Sequence, residues 1–260
     1  MQVSTKVIAR ESYLISIVIP AYNESKKIID SLTNVQAVLQ DITSDYEILV
    51  VDDGSTDGLS NIISINGHKK IRCLRYNVNM GKGFALKYGA CLAKGKYVIF
   101  IDADSEINPR LLNAYLSELA YSDLAIASKW HPKSSIKVSP IRRYLSLSFK
   151  LLVKILTGLS VSDSQAGLKA CRITSLRKIL PLLSVKKYAF DVEFLVIANL
   201  LKLKIRELPV EIDLTGQFKI RHILRMLIDI LGIAYRLRIL KWYQGNLNNK
   251  NPLYKPKLDW

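Results

Sequence analysis

The feature that most constrains the fold is a repeated boundary, in which short apolar runs stop abruptly at acidic or polar loops. Ile15–Ile19 ends at Pro20, Ile48–Val51 at Asp52 and Tyr97–Ile101 at Asp102, and further runs lie at Ile71–Leu74 and Leu124–Ala127. Runs of this length, apolar on both faces, suit strands buried on both sides of a parallel sheet. Between them, Glu24–Leu39, Gly58–Ile65, Gly83–Ala93 and Pro109–Ala120 carry helical spacing of apolar residues. Asn108 before Pro109 reads as a side-chain cap followed by proline at the first helical position. The alternation predicts an α/β fold with a mostly parallel central sheet flanked by helices. Ligands of such sheets bind beyond the carboxyl ends of the strands. Asn23-Glu24, Asp52-Asp53 and Asp102–Asp104 all fall there, so three loops distant in sequence should converge on one crevice.

The second half reads differently. Residues 1–128 hold 13 Lys and Arg against 14 Asp and Glu, whereas residues 129–260 hold 25 against 8, so the net charge of +16 sits in one half. An excess placed this way implies an anionic partner for that half: phosphate, anionic lipid or nucleic acid. Pro140–Leu159 reads as a basic amphipathic helix with Arg142, Arg143, Lys150 and Lys154 among Leu, Ile and Phe. Asp191–Leu201 reads as a helix, Ile205–Ile212 as a strand, and Lys219–Tyr243 as a long amphipathic helix. These divide the chain into one domain over 1–243, with a nucleotide-binding half (1–128), an acceptor and membrane-facing half (129–243) and a mobile tail (244–260). No apolar stretch reaches the length of a spanning helix, because Lys150 and Lys154 break one candidate and Arg225, Asp229, Arg236 and Arg238 the other. With no apolar leader at the start, the expectation is a cytoplasmic protein, peripheral on the inner face of a membrane. Cys73, Cys91 and Cys171 are scattered, which fits neither a disulfide framework nor a structural zinc site.

Three motifs carry chemistry. Asp102-Ala103-Asp104 at a strand end offers hard oxygen ligands to one divalent cation, magnesium or manganese, with nucleotide phosphates completing the shell. A phosphatase of the haloacid-dehalogenase type also places such a triplet after a strand, but continues with Gly-Thr where this chain has Ser105-Glu106. Asp52-Asp53-Gly54-Ser55 can accept hydrogen bonds from a base and from ribose hydroxyls, or can build an Asx turn. Asn79-Met80-Gly81-Lys82-Gly83 is a glycine turn opening a helix, a natural phosphate site. It has neither the P-loop nor the dinucleotide-fold spacing.

In this order and spacing, Pro20–Glu24, Asp52–Ser55, Asn79–Gly83 and Asp102–Asp104 resemble family 2 glycosyltransferases of the GT-A fold. Asp163–Lys169, Ala189–Glu193 and Glu207–Val210 narrow the resemblance to dolichyl-phosphate glucose and mannose synthases. Phe190–Glu193 and the Gly-Lys-Gly turn resemble the beta-glucosyltransferase branch most. The resemblance implies that Pro20, Tyr22, Glu24, Asp52, Asp53, Lys82 and Asp102 bind the nucleotide, that Asp102 and Asp104 hold the metal, and that Gln165 lies near the donor sugar. It implies an acceptor-phosphate site at Lys129, Arg142, Arg143 and Ser146. Asp191 and Glu193, acids in a basic region, are expected to hold sugar hydroxyls or arginine side chains and complete the catalytic set. The chain departs from the family at Lys129, where arginine is usual and a bidentate fork is lost, and at Gly216–Lys219 in place of Gly-Ser-Lys. The expected reaction is inverting transfer of glucose or mannose from UDP-glucose or GDP-mannose to a polyprenyl phosphate at a membrane surface. The alternative is a family 2 enzyme acting on a glycan or soluble acceptor. A nucleic-acid partner explains the charge but neither the strand-end acids nor the lack of aromatic platforms among the cations.

Overall fold

The computed structural model describes residues 13–66, 68–103, 107–165, 167–214 and 220–248. The first half runs β1 (Tyr13–Ala21), α1 (Ile28–Ile42), β2 (Tyr46–Asp53), α2 (Leu59–Ile65), β3 (Ile71–Tyr76), α3 (Lys82–Leu92) and β4 (Gly95–Phe100). A 3-10 turn at Pro109–Leu111 leads into α4 (Leu112–Glu118), followed by β5 (Leu124–Ala127). The Asn108 side chain accepts from the Arg110 amide at 3.0 Å, the cap expected from the sequence. The second half adds β6 (Ser135–Val138), α5 (Pro140–Thr157), β7 (Lys169–Arg172), α6 (Ile173–Ile179), α7 (Phe190–Leu200), β8 (Ile205–Leu208) and β9 (Glu211–Leu214). It closes with α8 (Ile220–Ala234), which continues as a π-helical turn over Tyr235–Ile239, and α9 (Trp242–Asn248).

Seven strands form the central sheet in the order β3-β2-β1-β4-β7-β5-β8. All neighbours are parallel except β7, which is antiparallel to both β4 and β5. The strand order reverses at β1, between β2 and β4, which is where a doubly wound sheet opens its crevice. Alternate residues face opposite layers. Val18, Leu49, Val51, Val98 and Phe100 pack under α3, α6 and α7, while Ile17, Ile19, Ile48, Val50 and Ile99 pack against α1 and α4.

Three sequence expectations change. The strand expected over Ile205–Ile212 is two strands, because Pro209 has no amide to donate and ends the first. β8 stays in the main sheet, while β9 pairs with β6 in a separate two-stranded parallel sheet. The segment before α6, where no element is expected, supplies the antiparallel strand β7. The long C-terminal helix breaks at Lys241, where φ is 48°, and α9 carries helix to Asn248, into the expected tail; residues 249–260 lie outside the described residues.

The height of α3 over the sheet is set by one glycine. A Cβ on Gly89 would stand 2.5 Å from Val18 Cγ1 and 2.9 Å from Val51 Cγ2, both buried. The helix therefore lies almost on the strands, and its first residue, Lys82, is brought down to their carboxyl ends. We expect Gly89→Val to destabilise the protein by about 1–3 kcal/mol through overpacking, read as a lower midpoint in urea denaturation. An unchanged midpoint would mean that α3 can ride higher without cost.

Candidate functional site

The loops after β1 and β2 are stitched together before any ligand arrives. Asn23, at φ 56°, donates its amide to Ser55 Oγ at 3.0 Å and accepts from the Thr56 amide at 2.9 Å. The Ser25 amide donates to Asp57 Oδ2 at 2.8 Å. Burial of Asp57 opposes its ionisation, but hydrogen bonds from Ser25 and the Leu59 amide outweigh it, so this carboxyl titrates below its ordinary range. Asp52, fully buried, accepts from the Ser55 amide at 2.8 Å and pairs with Arg75 at 2.6 Å. It builds the turn and shows no oxygen to the crevice. Pro20 is buried within β1, Tyr22 is 46% exposed beside it, and Glu24 is half-buried at the next turn.

Asp53 grips the glycine turn. Its Oδ1 accepts from Tyr76 Oη at 2.8 Å and the Met80 amide at 2.7 Å, and its Oδ2 from the Gly81 amide at 2.9 Å. Burial, then the hydrogen bond to Asp53, raises the Tyr76 pKa, so its hydroxyl stays a donor. Gly81 takes φ 99°, a region glycine enters freely, and a side chain there would meet the Lys186 carbonyl at 2.7 Å. Lys82 leaves this turn and reaches Asp102 at the end of β4, with its ammonium 2.7 Å from Oδ1 and 2.9 Å from Oδ2. A Cβ on Gly167 would come within 2.3 Å of Asp102 Oδ2, so this glycine keeps open the cradle beside the carboxylate. A half-exposed hard carboxylate in an open cradle fits a divalent cation. Among the described residues no cluster of three acidic, histidine or cysteine ligands exists. Asp104, expected as the second ligand, lies outside the described residues.

Asp102 and Lys82 line a cavity of about 890 Å³. Lys129, Arg142, Arg143 and Ser146 line it, together with Gln165 and Asp191. The structure thus brings the expected acceptor-phosphate residues to the same space as the strand-end acid. Phe149, Leu152, Ile136, Val138 and Leu227 supply apolar wall. Three contributors were not picked out from the sequence. Trp130 follows Lys129 in the lining, Tyr188 enters from the segment before α7, and buried Asp163 acts from behind. Asp163 accepts from the amides of Lys129 and Gln165, each at 3.0 Å, and stands 3.7 Å from the Lys129 ammonium, so one carboxylate aims two of the predicted residues. Adjacency to Lys129 was the available signal for Trp130; Asp163 stood within the Asp163–Lys169 motif without a role.

The two acids of α7 part company. Asp191 reaches the cavity and pairs with Lys169 at 2.8 Å, in a largely buried ion pair. Glu193 does not reach the cavity. It is fully buried, is absent from the cavity wall, and spends its oxygens on Ser184, Val185, Arg236 and Tyr243. The arginine-holding half of the expectation is what the geometry gives.

Outside the cavity, α5 packs against α8, and each keeps an apolar ridge in solvent. Ile141, Tyr144, Leu147, Leu151 and Ile155 form one, and Ile228, Leu231, Tyr235 and Ile239 the other. No helix among the described residues is long and apolar enough to cross a membrane.

Residues 16–180 match the glycosyl transferase family 2 domain. A dolichyl-phosphate beta-glucosyltransferase of Trichomonas vaginalis is 32% identical over 244 residues, covering 86% of this chain and 72% of that protein. The Saccharomyces cerevisiae protein of the same name is 32% identical over 261 residues, covering 89% of this chain and 78% of its relative. Among solved structures, glucosyl-3-phosphoglycerate synthase from Mycobacterium tuberculosis superposes with a TM-score of 0.67 at 20% identity, over 87% of this chain and 80% of that one. That likeness shows the fold.

Every partner of Asp53 is a donor, so an amide in its place must aim an N–H at one of them. We expect Asp53→Asn to cost about 1–3 kcal/mol in urea denaturation and to speed hydrogen exchange at Met80 and Gly81. Unchanged exchange at both amides would show that the turn is held by something else.

Proposed function

We propose, since the chain belongs to glycosyl transferase family 2, that it is an inverting hexosyltransferase that moves glucose from a sugar nucleotide to a polyprenyl phosphate. The observation that carries this reading is the shared cavity, which a lysine–aspartate pair at the strand ends lines together with Lys129, Arg142, Arg143 and apolar side chains. A site for a soluble glycan has no use for cations set among Phe149, Leu152 and Leu227, whereas a phosphate on a hydrocarbon chain uses both. The relatives named dolichyl-phosphate beta-glucosyltransferase support the same acceptor and favour glucose over mannose.

The nucleotide is assigned to Pro20, Tyr22, Glu24 and the β2 loop, with Asp52 and Asp53 shaping that loop and Lys82 meeting the diphosphate. Asp102, with Asp104, would hold magnesium or manganese, which supplies positive charge to the diphosphate when bound. The acceptor phosphate needs no dedicated base, because its second pKa of about 6 leaves it largely a dianion near neutral pH. This agrees with a site whose carboxylates are already committed, Asp102 to Lys82 and Asp191 to Lys169. Arg142, Arg143, Lys129 and Ser146 orient the phosphate so that one oxygen attacks the anomeric carbon. The carbon–oxygen bond to the donor diphosphate breaks as the new one forms on the opposite face, and the electron pair leaves with the nucleoside diphosphate. Lys82 offsets the charge that develops there. Gln165 is assigned to the sugar.

The same proposal seats the ridges of α5 and α8 on a bilayer. Apolar residues would enter the headgroup boundary while Arg142, Arg143, Lys150 and Lys154 meet anionic lipid. The cation excess favours the inner, cytoplasm-facing leaflet, which carries the anionic lipids.

Transfer of radiolabelled glucose from UDP-glucose into solvent-extractable lipid, with dolichyl phosphate present, tests the function directly. We expect label in the lipid, loss of it with EDTA, and at least a hundredfold loss in Asp104→Ala. Arg142→Ala should raise the acceptor KM about tenfold and leave the donor KM within twofold. No lipid label from UDP-glucose or GDP-mannose, with nucleotide binding intact, would overturn the lipid acceptor in favour of a glycan or soluble one. Vesicles containing anionic lipid should pellet the chain at low salt and release it at high salt. Failure to pellet at low salt would remove the bilayer from the proposal.

A further inference from the structure

Glu193 is buried without reaching the cavity, and burying a carboxylate costs several kcal/mol unless its oxygens are satisfied. The satisfaction comes from two directions. On one side, Oε2 accepts from the amides of Ser184 at 2.8 Å and Val185 at 2.7 Å, and Oε1 from Ser184 Oγ at 2.6 Å. On the other, Oε1 accepts from Tyr243 Oη at 2.6 Å and Arg236 Nη2 at 3.3 Å. Arg236 also donates to Tyr243 Oη at 3.1 Å. Burial, then the Glu193 charge, raises the Tyr243 pKa and keeps its hydroxyl a donor. The carboxylate therefore joins the segment before α7 to the π-helical turn after α8 and to the start of α9.

That segment continues into the glycine turn. The Lys186 carbonyl accepts from the Phe84 amide in the first turn of α3 at 2.9 Å. The same carbonyl would stand 2.7 Å from a side chain at Gly81, and the Lys187 carbonyl 2.8 Å from one at Gly83. The turn that presents Lys82 is thus gripped from two sides, by Asp53 at its amides and by the Lys186–Lys187 backbone at its glycines. The second grip is only as firm as the segment behind it, and Glu193 fixes the start of that segment. Tyr188, farther along it, lines the cavity.

We propose that Glu193 is a positioning residue for the transfer reaction: it locks the 184–188 segment against the C-terminal helix, and that segment holds the Lys82 turn where the donor diphosphate binds. The proposal rests on the reading of that turn as the diphosphate site. Glutamine keeps the size of Glu193, but its amide must set an N–H either against the Ser184 and Val185 amides or against the Arg236 guanidinium.

The test is a double-mutant cycle on the full chain, with UDP in manganese as the probe and steady-state transfer as the second readout. Lys82→Met should weaken UDP binding at least tenfold. Glu193→Gln should weaken it about fivefold and lower kcat, with the acceptor KM within twofold, while circular dichroism shows a native fold. If Glu193 acts through Lys82, adding Glu193→Gln to Lys82→Met should cost less than about twofold more. Ser184→Ala removes one donor from an exposed position and should weaken UDP about twofold, which keeps the proposal testable if Glu193→Gln fails to fold. Fully additive losses, or unchanged UDP binding in folded Glu193→Gln or in Ser184→Ala, would overturn the positioning role. Unchanged UDP binding in Lys82→Met would instead overturn the assignment of the turn to the diphosphate.

Discussion

The crevice depends on a buried carboxylate holding backbone amides. Asp53 takes the N–H groups of Met80 and Gly81 at the end of β2, and the turn they belong to sends Lys82 toward Asp102. Relative magnitudes decide which interaction shapes the site. A hydrogen bond to a charged, buried acceptor contributes about 1.5–3 kcal/mol. An ion pair open to solvent contributes about 0–1 kcal/mol. The Lys82–Asp102 pair is more than a quarter exposed on both sides, whereas Asp53 is 3% exposed. The turn therefore stands because of Asp53, and Lys82 is presented by it rather than anchored by its own partner.

The two halves of the chain solve different electrostatic problems. Acids of the first half are consumed internally: Asp52 by Arg75 and the Ser55 amide, Asp53 by the turn, Asp57 by the β1 loop. They give a preorganised shape with little net charge. α5 of the second half contains no acid along its whole length, so its cations have no opposite charge on their own helix. The charge asymmetry of the sequence thus becomes a spatial one, with the shaped strand-end loops and a cationic helix lining one cavity.

How much was legible follows from the range of the interactions involved. Strand ends were readable, because the boundary between an apolar run and an acid is local, and β1, β2 and β4 carry that boundary within a few residues. β7 was not, because Lys169–Arg172 is short and takes its partners from strands far away in sequence. The break at Pro209 could have been read from the missing amide alone. The acids show the same division. That Asp102 would open on the crevice followed from its place at a strand end, but Asp52 and Asp53, equally placed, turned inward because Arg75 and the glycine turn supply donors. Glu193 was expected at the cavity and lies behind it for a related reason. Its residue type and setting suggested a site, but the groups that satisfy it lie at 184–185, 236 and 243, and no spacing rule connects them.

The cavity holds two ion pairs of different character, and the difference bears on how it can work. Lys169–Asp191 has side chains 3% and 10% exposed, so separating it leaves two buried charges and costs about 3–5 kcal/mol. It is a fixed part of the wall. Lys82–Asp102, at 28% and 29%, keeps its access to water, and separating it costs about 1 kcal/mol or less. On the proposed reading, a diphosphate would take the ammonium with little penalty and leave the Asp102 oxygens available to a cation. The carboxylate that neutralises Lys82 is, on that reading, the one that a diphosphate would release. The pair is neutral when closed, and separating its charges needs no movement of the backbone that Asp53 and Gly167 have set.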